Sequence, residues 1–189
     1  GLNTMQIYGV GFIQEGMAVG CQDLGTFILK NKGKDWLNLA SLYGDGGDVL
    51  DQDTSFLALM SGTVRLMQYD NLKRDVFIHP PTSSSHFTSW FRYLNNAKDS
   101  FFFVGKELWF GSNRKWNNKT KSIPRSEFVI TGFDYSPQDP QTMYAAYNQP
   151  TWSANNLSGK FYKTEDGGLN WKDITGSLPI LAWRHITSI

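Results

Sequence analysis

The feature that most constrains this chain is a repeat of short apolar runs, four to a segment and four segments long, with polar turns between the runs. "MQIYGVGF", "GMAVGCQ", "GTFILKN" and "DWLNLAS" make the first, and "GGDVLDQD", "SFLALMSG", "TVRLMQYD" and "RDVFIHP" the second. The third runs through "SWFRYLNN", "SFFFVGK", "ELWFGSN" and "TKSIP", the fourth through "FVITGFDYSPQDP", "TMYAAYNQ", "GKFYKTEDGG" and "NWKDITGSLP". Four antiparallel strands per roughly 40 residues is the pattern of a β-propeller blade. No stretch keeps an apolar period of 3.6, so helices are not expected. The predicted class is all-β: about four blades, near residues 5–40, 46–80, 87–124 and 127–179. "AWRHITSI" reads as the first strand of another blade beginning near residue 182, which makes the chain an arc of a larger ring. The segments "HPPTSSSHFTS" and "NRKWNNKTKSIPRSE" carry the Pro, Ser and Asn of connections between blades.

Composition narrows the function classes. Eighteen basic residues against seventeen acidic give a net charge of +1, and aromatic residues make up 15% of the chain. Phosphate binding needs clustered positive charge, which this distribution lacks, so nucleic acid is not an expected partner. No apolar run reaches the roughly 18 residues that span a bilayer as a helix. Cys21 is the only cysteine, which rules out a disulfide within this chain and a cysteine zinc cluster. His79, His86 and His185 are far apart in sequence and form no ligand pair, and their expected roles are in packing or on the surface.

One turn is sharply patterned. In "KTEDGGLNW", Thr164, Asp166, Gly168 and Trp171 stand at intervals of two, two and three. A carboxylate there accepts backbone N–H groups across a tight turn, a glycine supplies positive φ, a hydroxyl adds a cap and a Trp packs outward. This pattern resembles the Asp box, [Ser/Thr]-x-Asp-x-Gly-x-x-Trp, and "ITGFDYSPQDPQTMYAAY" resembles the phrase that opens blades in the sialidase-like Asp-box repeat superfamily. "CQDLGTFILKNKGKDWLNL", with Asp23, Gly25 and Trp36, and "YGDGGDVLDQD" resemble segments of large propeller proteins exported to the surface of Bacteroidota, many by type IX secretion.

The resemblance implies several things about function. Asp boxes join the third and fourth strands of a blade away from the catalytic face, so Thr164, Asp166, Gly168 and Trp171 are expected to be structural. Asp23 resembles the acid of the Asp-x-Gly-Gly segment in xyloglucanase-type propellers, although Thr26 replaces the second Gly. Such enzymes invert with two carboxyl groups about 6.5–9.5 Å apart. Sialidases need an arginine triad and an Arg-Ile-Pro segment, and the latter does not occur here. Asp45 and Asp48 in "GDGGD" suit either a calcium ion or a tight turn entering the second blade. Trp116, Trp152 and Trp183 suit a glycan or protein contact, or packing between blades, and the sequons at Asn118 and Asn156 matter only in a eukaryotic secretory protein.

The expected function is a non-catalytic binding or scaffold module of an exported or cell-surface bacterial protein. Its propeller loops, with Asp45, Asp48 and Trp152 as contact candidates, would face a protein or glycan. The alternatives are a glycoside hydrolase of xyloglucanase or sialidase type, with Asp23 as its acid, and a structural subunit of a large surface or secretion assembly. No cofactor is expected beyond the calcium option.

Overall fold

The structure is a computed structural model that describes residues 6–14, 16–30, 33–39, 46–52, 55–60, 63–68, 74–77, 89–95, 97–112, 115–123, 129–148 and 159–178. All of its regular elements are strands, and among the described residues there is no helix. They form four sheets of four strands, each a meander in which every strand pairs with the next one in the chain. The first sheet holds β1 (Ile7–Ile13), β2 (Gly16–Cys21), β3 (Gly25–Lys30) and β4 (Asp35–Asn38). The second holds β5 (Gly46–Asp51), β6 (Ser55–Met60), β7 (Thr63–Gln68) and β8 (Arg74–Phe77). β9 (Trp90–Leu94), β10 (Ala97–Val104), β11 (Leu108–Ser112) and β12 (Lys115–Asn118) make the third. β13 (Val129–Tyr135), β14 (Met143–Asn148), β15 (Lys160–Thr164) and β16 (Lys172–Asp173) make the fourth.

One strand lies earlier than the sequence pattern places it. The last strand of the third sheet is Lys115–Asn118, not "TKSIP". Its Trp116 packs edge-on against Phe101 and Phe103, at ring separations of 5.5 and 6.4 Å, which holds this segment extended. Thr120–Ile123 instead closes a turn, with the Ile123 N–H donating to the Thr120 carbonyl.

The chain divides into two compact units, Gly1–Phe103 with Gly111–Trp116, and Val104–Phe110 with Asn117–Ile189. In the first, one face of the first sheet packs on the second through Ile13, Ala18, Ile28, Val49, Phe56 and Ala58. Alternating side chains on the strands supply that face. The backbones come unusually close there. A Cβ on Gly20 would stand 1.9 Å from the Gly47 carbonyl oxygen, and one on Gly46 would stand 2.1 Å from that of Gly25. Glycine is the only residue that fits at such an approach.

In the second unit the buried face of the fourth sheet is built from opposed residues of adjacent strands. Phe133, Ala145 and Tyr162 form one row and Tyr135, Met143 and Thr164 the next. The first strands β1, β5 and β13 share a further trait: each has a register shift, between Ile7 and Gly9, Gly46 and Val49, and Ile130 and Gly132. Such bulges bend a strand and re-aim its side chains.

Candidate functional site

The acidic residues Asp166, Asp48 and Asp23 stand in three different settings. The turn between β15 and β16 is closed by its own side chains. The Thr164 hydroxyl donates to Asp166 Oδ1 at 2.7 Å and accepts the N–H groups of Asp166 and Gly168 at 3.3 and 3.1 Å. Asp166 also accepts the Asn170 backbone N–H at 2.9 Å and its side-chain amide at 2.8 Å. Those donors, the Asn170 N–H first, hold the Asp166 carboxyl down to about 2. Both carboxylate oxygens are thus engaged within the turn.

The rest of the motif ties this turn to the third sheet. Gly168 has φ of +87°, and a Cβ there would lie 2.6 Å from the Lys119 carbonyl oxygen. The Trp171 indole N–H donates to that same carbonyl at 2.7 Å, and the Gly167 N–H donates to the Gln141 carbonyl at 3.0 Å. Asp173, beyond the turn, is held down to about 2 by the Lys160 ammonium at 2.8 Å and by Thr175.

Asp48 is enclosed in a different way. It lies within the bulge of β5, and its Oδ2 accepts the N–H of Phe91 in β9 at 2.8 Å. Burial pushes its carboxyl up to about 6, against the opposing pull of the Phe91 and Val49 N–H groups. Tyr93 reinforces the same strand contact by donating its hydroxyl to the Asp51 carbonyl. Asp48 thus lies in β5, within the run "GGDVLDQD" that the sequence reads as the first strand of the second blade. The glycines before it are there because β5 runs against β2, as the Gly20 and Gly47 approach requires. Asp45 lies outside the described residues.

Asp23 stands in the exposed turn between β2 and β3, with left-handed backbone at φ of 58°. Short polar residues such as Asp adopt that conformation more readily than most. The Thr26 hydroxyl, at the position of the missing second glycine, is fully buried and has no hydrogen-bond partner. Cys21 is also buried, which pushes its thiol up. Trp116 is half-buried in the aromatic cluster of the third sheet, and Asn118 caps Thr120 through its side-chain oxygen. Trp152, Trp183, His79, His86, His185 and Asn156 lie outside the described residues. Among the described residues no three His, Cys, Asp or Glu side chains are grouped to hold a metal ion, and no helix is long and apolar enough to cross a membrane.

Sheets of four antiparallel strands in meander order recur in solved structures. An ancestral GH74 enzyme superposes on 91% of this chain with a TM-score of 0.69 at 15% identity, using 26% of its own length. The fold is a β-propeller. The GH74 enzyme of Niastella koreensis matches 89% of this chain and 29% of itself, at a TM-score of 0.65 and 12% identity. YCF48 bound to D1 peptide matches 82% and 49%, at a TM-score of 0.50 and 13% identity. This propeller chain thus spans less than two thirds of each of those proteins. No protein-family model matches it, and no curated protein does.

Sequence reasoning missed one likeness between turns, one backbone donor and one backbone acceptor. The turn between β3 and β4 shares one interval with the turn at Thr164–Trp171: Gly33 stands three residues before Trp36 with φ of +88°, close to that of Gly168, while Leu29 and Asn31 stand at the positions of Thr164 and Asp166. Aligning the segments on their Trp residues would have found it. The Phe91 N–H and the Lys119 carbonyl are backbone groups, on which a side-chain pattern is silent. A surface feature of the fourth sheet also went unremarked: Tyr144 and Phe161 stack 6.1 Å apart at 19°, with Lys163 over the Tyr144 ring.

Proposed function

We propose that this propeller is a non-catalytic binding or scaffold module of an exported or cell-surface bacterial protein, and that it belongs to the Asp-box repeat superfamily. The observation that carries this reading is how the acids are used. Asp166 is engaged on both oxygens inside its own turn, and Asp48 accepts a backbone N–H of the next sheet, so each braces the fold. Rigid sheets bearing variable loops are a common way to present a binding surface. The occurrence of this fold in YCF48 bound to D1 peptide supports a protein partner, and the half-buried Tyr144 and Phe161 stack beside Lys163 suits either a peptide or a glycan.

Incubation with xyloglucan and with sialylated oligosaccharides tests the non-catalytic part, with no hydrolysis expected. Titration against peptide and glycan arrays tests the binding part. Substituting Tyr144→Ala should then weaken the bound class while leaving the melting temperature nearly unchanged.

A second reading is favoured by one observation. Asp23 is exposed in the turn that follows β2, where the xyloglucanase resemblance places an acid, and GH74 enzymes share the fold. Fold alone does not carry activity. Xyloglucan cleavage that disappears in Asp23→Asn would replace the binding reading with this one.

A further inference from the structure

The turn that joins β15 to β16 contains an Asp–Gly pair, Asp166 and Gly167, and the fold requires the glycine. Gly167 has φ of +68°, and a Cβ there would collide with the side-chain amide oxygen of Gln141. A glycine after an aspartate is also a chemically weak point of a polypeptide, since no side chain hinders attack by the following amide nitrogen on the carboxyl carbon. In that reaction the Gly167 nitrogen gives up its proton and bonds to Asp166 Cγ, while a Cγ–O bond breaks and water leaves. Water then opens the cyclic imide at either carbonyl. One product is Asp166 again. The other is a β-linked isoaspartate of unchanged mass, whose main chain is longer by a methylene group.

The folded turn opposes each requirement of this reaction. The nitrogen must turn toward Cγ, and here its N–H donates to the Gln141 carbonyl at 3.0 Å. Gln141 is fixed in its turn, with its own N–H donating to Asp139 Oδ1 at 3.2 Å. The carboxyl must take up a proton so that water can leave. Here Oδ1 accepts the Thr164 hydroxyl at 2.7 Å and the Asn170 N–H at 2.9 Å, and Oδ2 accepts the Asn170 side-chain amide at 2.8 Å. Donors of this kind favour the unreactive anion. Trp171 pins the far side of the turn to the Lys119 carbonyl at 2.7 Å. We propose that Asp166–Gly167 is a latent modification site, closed in the folded turn, at which isoaspartate forms once the turn opens. For the structure the change is one-way. The isoaspartate carboxylate stands directly on Cα and has lost reach, and the added methylene displaces Gly168 from the Thr164 hydroxyl that its N–H meets at 3.1 Å. A converted chain therefore cannot rebuild the network around Thr164 and Asn170. This inference is independent of the binding role above.

Ageing the full chain at neutral pH beside a synthetic peptide of residues 164–172 tests it, with isoaspartate at position 166 measured by peptide mapping and by labelling with protein isoaspartate methyltransferase. One hydrogen bond to a charged group changes the population of an open turn by about tenfold or more, so the folded chain should convert at least about tenfold more slowly than the peptide. In urea the unfolded chain should convert at the peptide's rate. Asn170→Ala deletes the donor to Oδ2, and should speed conversion about tenfold in the folded chain while leaving the peptide's rate unchanged. In the parent chain, conversion and hydrogen exchange at Gly167 and Asn170 should rise together as urea is added below the unfolding midpoint. Purified isoaspartate chains should exchange fast at Gly168 and Asn170. Conversion of the folded parent at the peptide's rate overturns the proposal, as does conversion that stays flat while exchange at Gly167 and Asn170 rises. A folded Asn170→Ala chain that converts as slowly as the parent also overturns it, and parent-like protection in isoaspartate chains overturns its one-way part.

Discussion

Asp48→Asn is the substitution whose outcome the geometry fixes most closely. The carboxyl releases its proton near pH 6 in the folded chain. In the unfolded chain it does so near the ordinary Asp value of about 4. Below about pH 4 both states carry the proton and nothing is lost; as pH rises from there to 6 the unfolded chain ionises first, so folding loses stability. The loss saturates above pH 6 at about 3 kcal/mol, from about 1.36 kcal/mol for each pH unit between the two values. Asn keeps an oxygen to accept the Phe91 N–H and carries no charge to bury, but its amide donors need partners, an opposing cost of about 1 kcal/mol. Urea unfolding of both chains at pH 4, 5, 6 and 7 measures the difference directly. The variant should be about 2 kcal/mol more stable at pH 7 and slightly less stable at pH 4. Asp166 and Asp173, held near 2, titrate below this window and cancel in the difference. A variant that is destabilised equally at all four pH values would refute the reasoning, since burial of charge would then not govern the site.

Gly20→Ala would drive a methyl group into the Gly47 carbonyl, and should cost about 3 kcal/mol or more, read as a lower urea midpoint. Thr26→Val removes a buried hydroxyl with no partner and should raise stability by about 1 kcal/mol, read in the same way. Asp166→Ala should speed hydrogen exchange at Asn170 while leaving exchange in β1 to β3 unchanged. The contribution of Asp166 to stability is present above about pH 4 and is lost as pH falls through 2, because its folded value is depressed.

Strand order was legible because each strand pairs with its chain neighbour, so the run of apolar segments is also the spatial order. The turn at Thr164–Trp171 was legible for a related reason: its bonds within the turn lie within four residues, and residue types alone encode them. The outward link of Trp171 to Lys119 spans 52 residues and ends on a carbonyl, a group every residue has. The partner of Asp48 was hidden on the same grounds, since it is the N–H of Phe91. "GDGGD" has the composition of a turn, and glycine looks alike in sequence whether it supplies positive φ or clears space for a neighbouring strand. Trp116 shows the converse. The sequence offers it as a glycan or protein contact or as packing between blades, and the structure packs it on Phe101 and Phe103 of its own sheet.

The meander order also bears on how the chain acquires its structure. Every ladder closes a short loop, and the links from one sheet to the next, Asp48 to Phe91 and Trp171 to Lys119, step only 43 and 52 residues along the chain. Loop closure of that size grows in cost only slowly with length, and assemblies of neighbour-only contacts gain stability one unit at a time. A chain of this kind can therefore fold progressively as it emerges from the ribosome, each ladder closing as soon as its second strand is available.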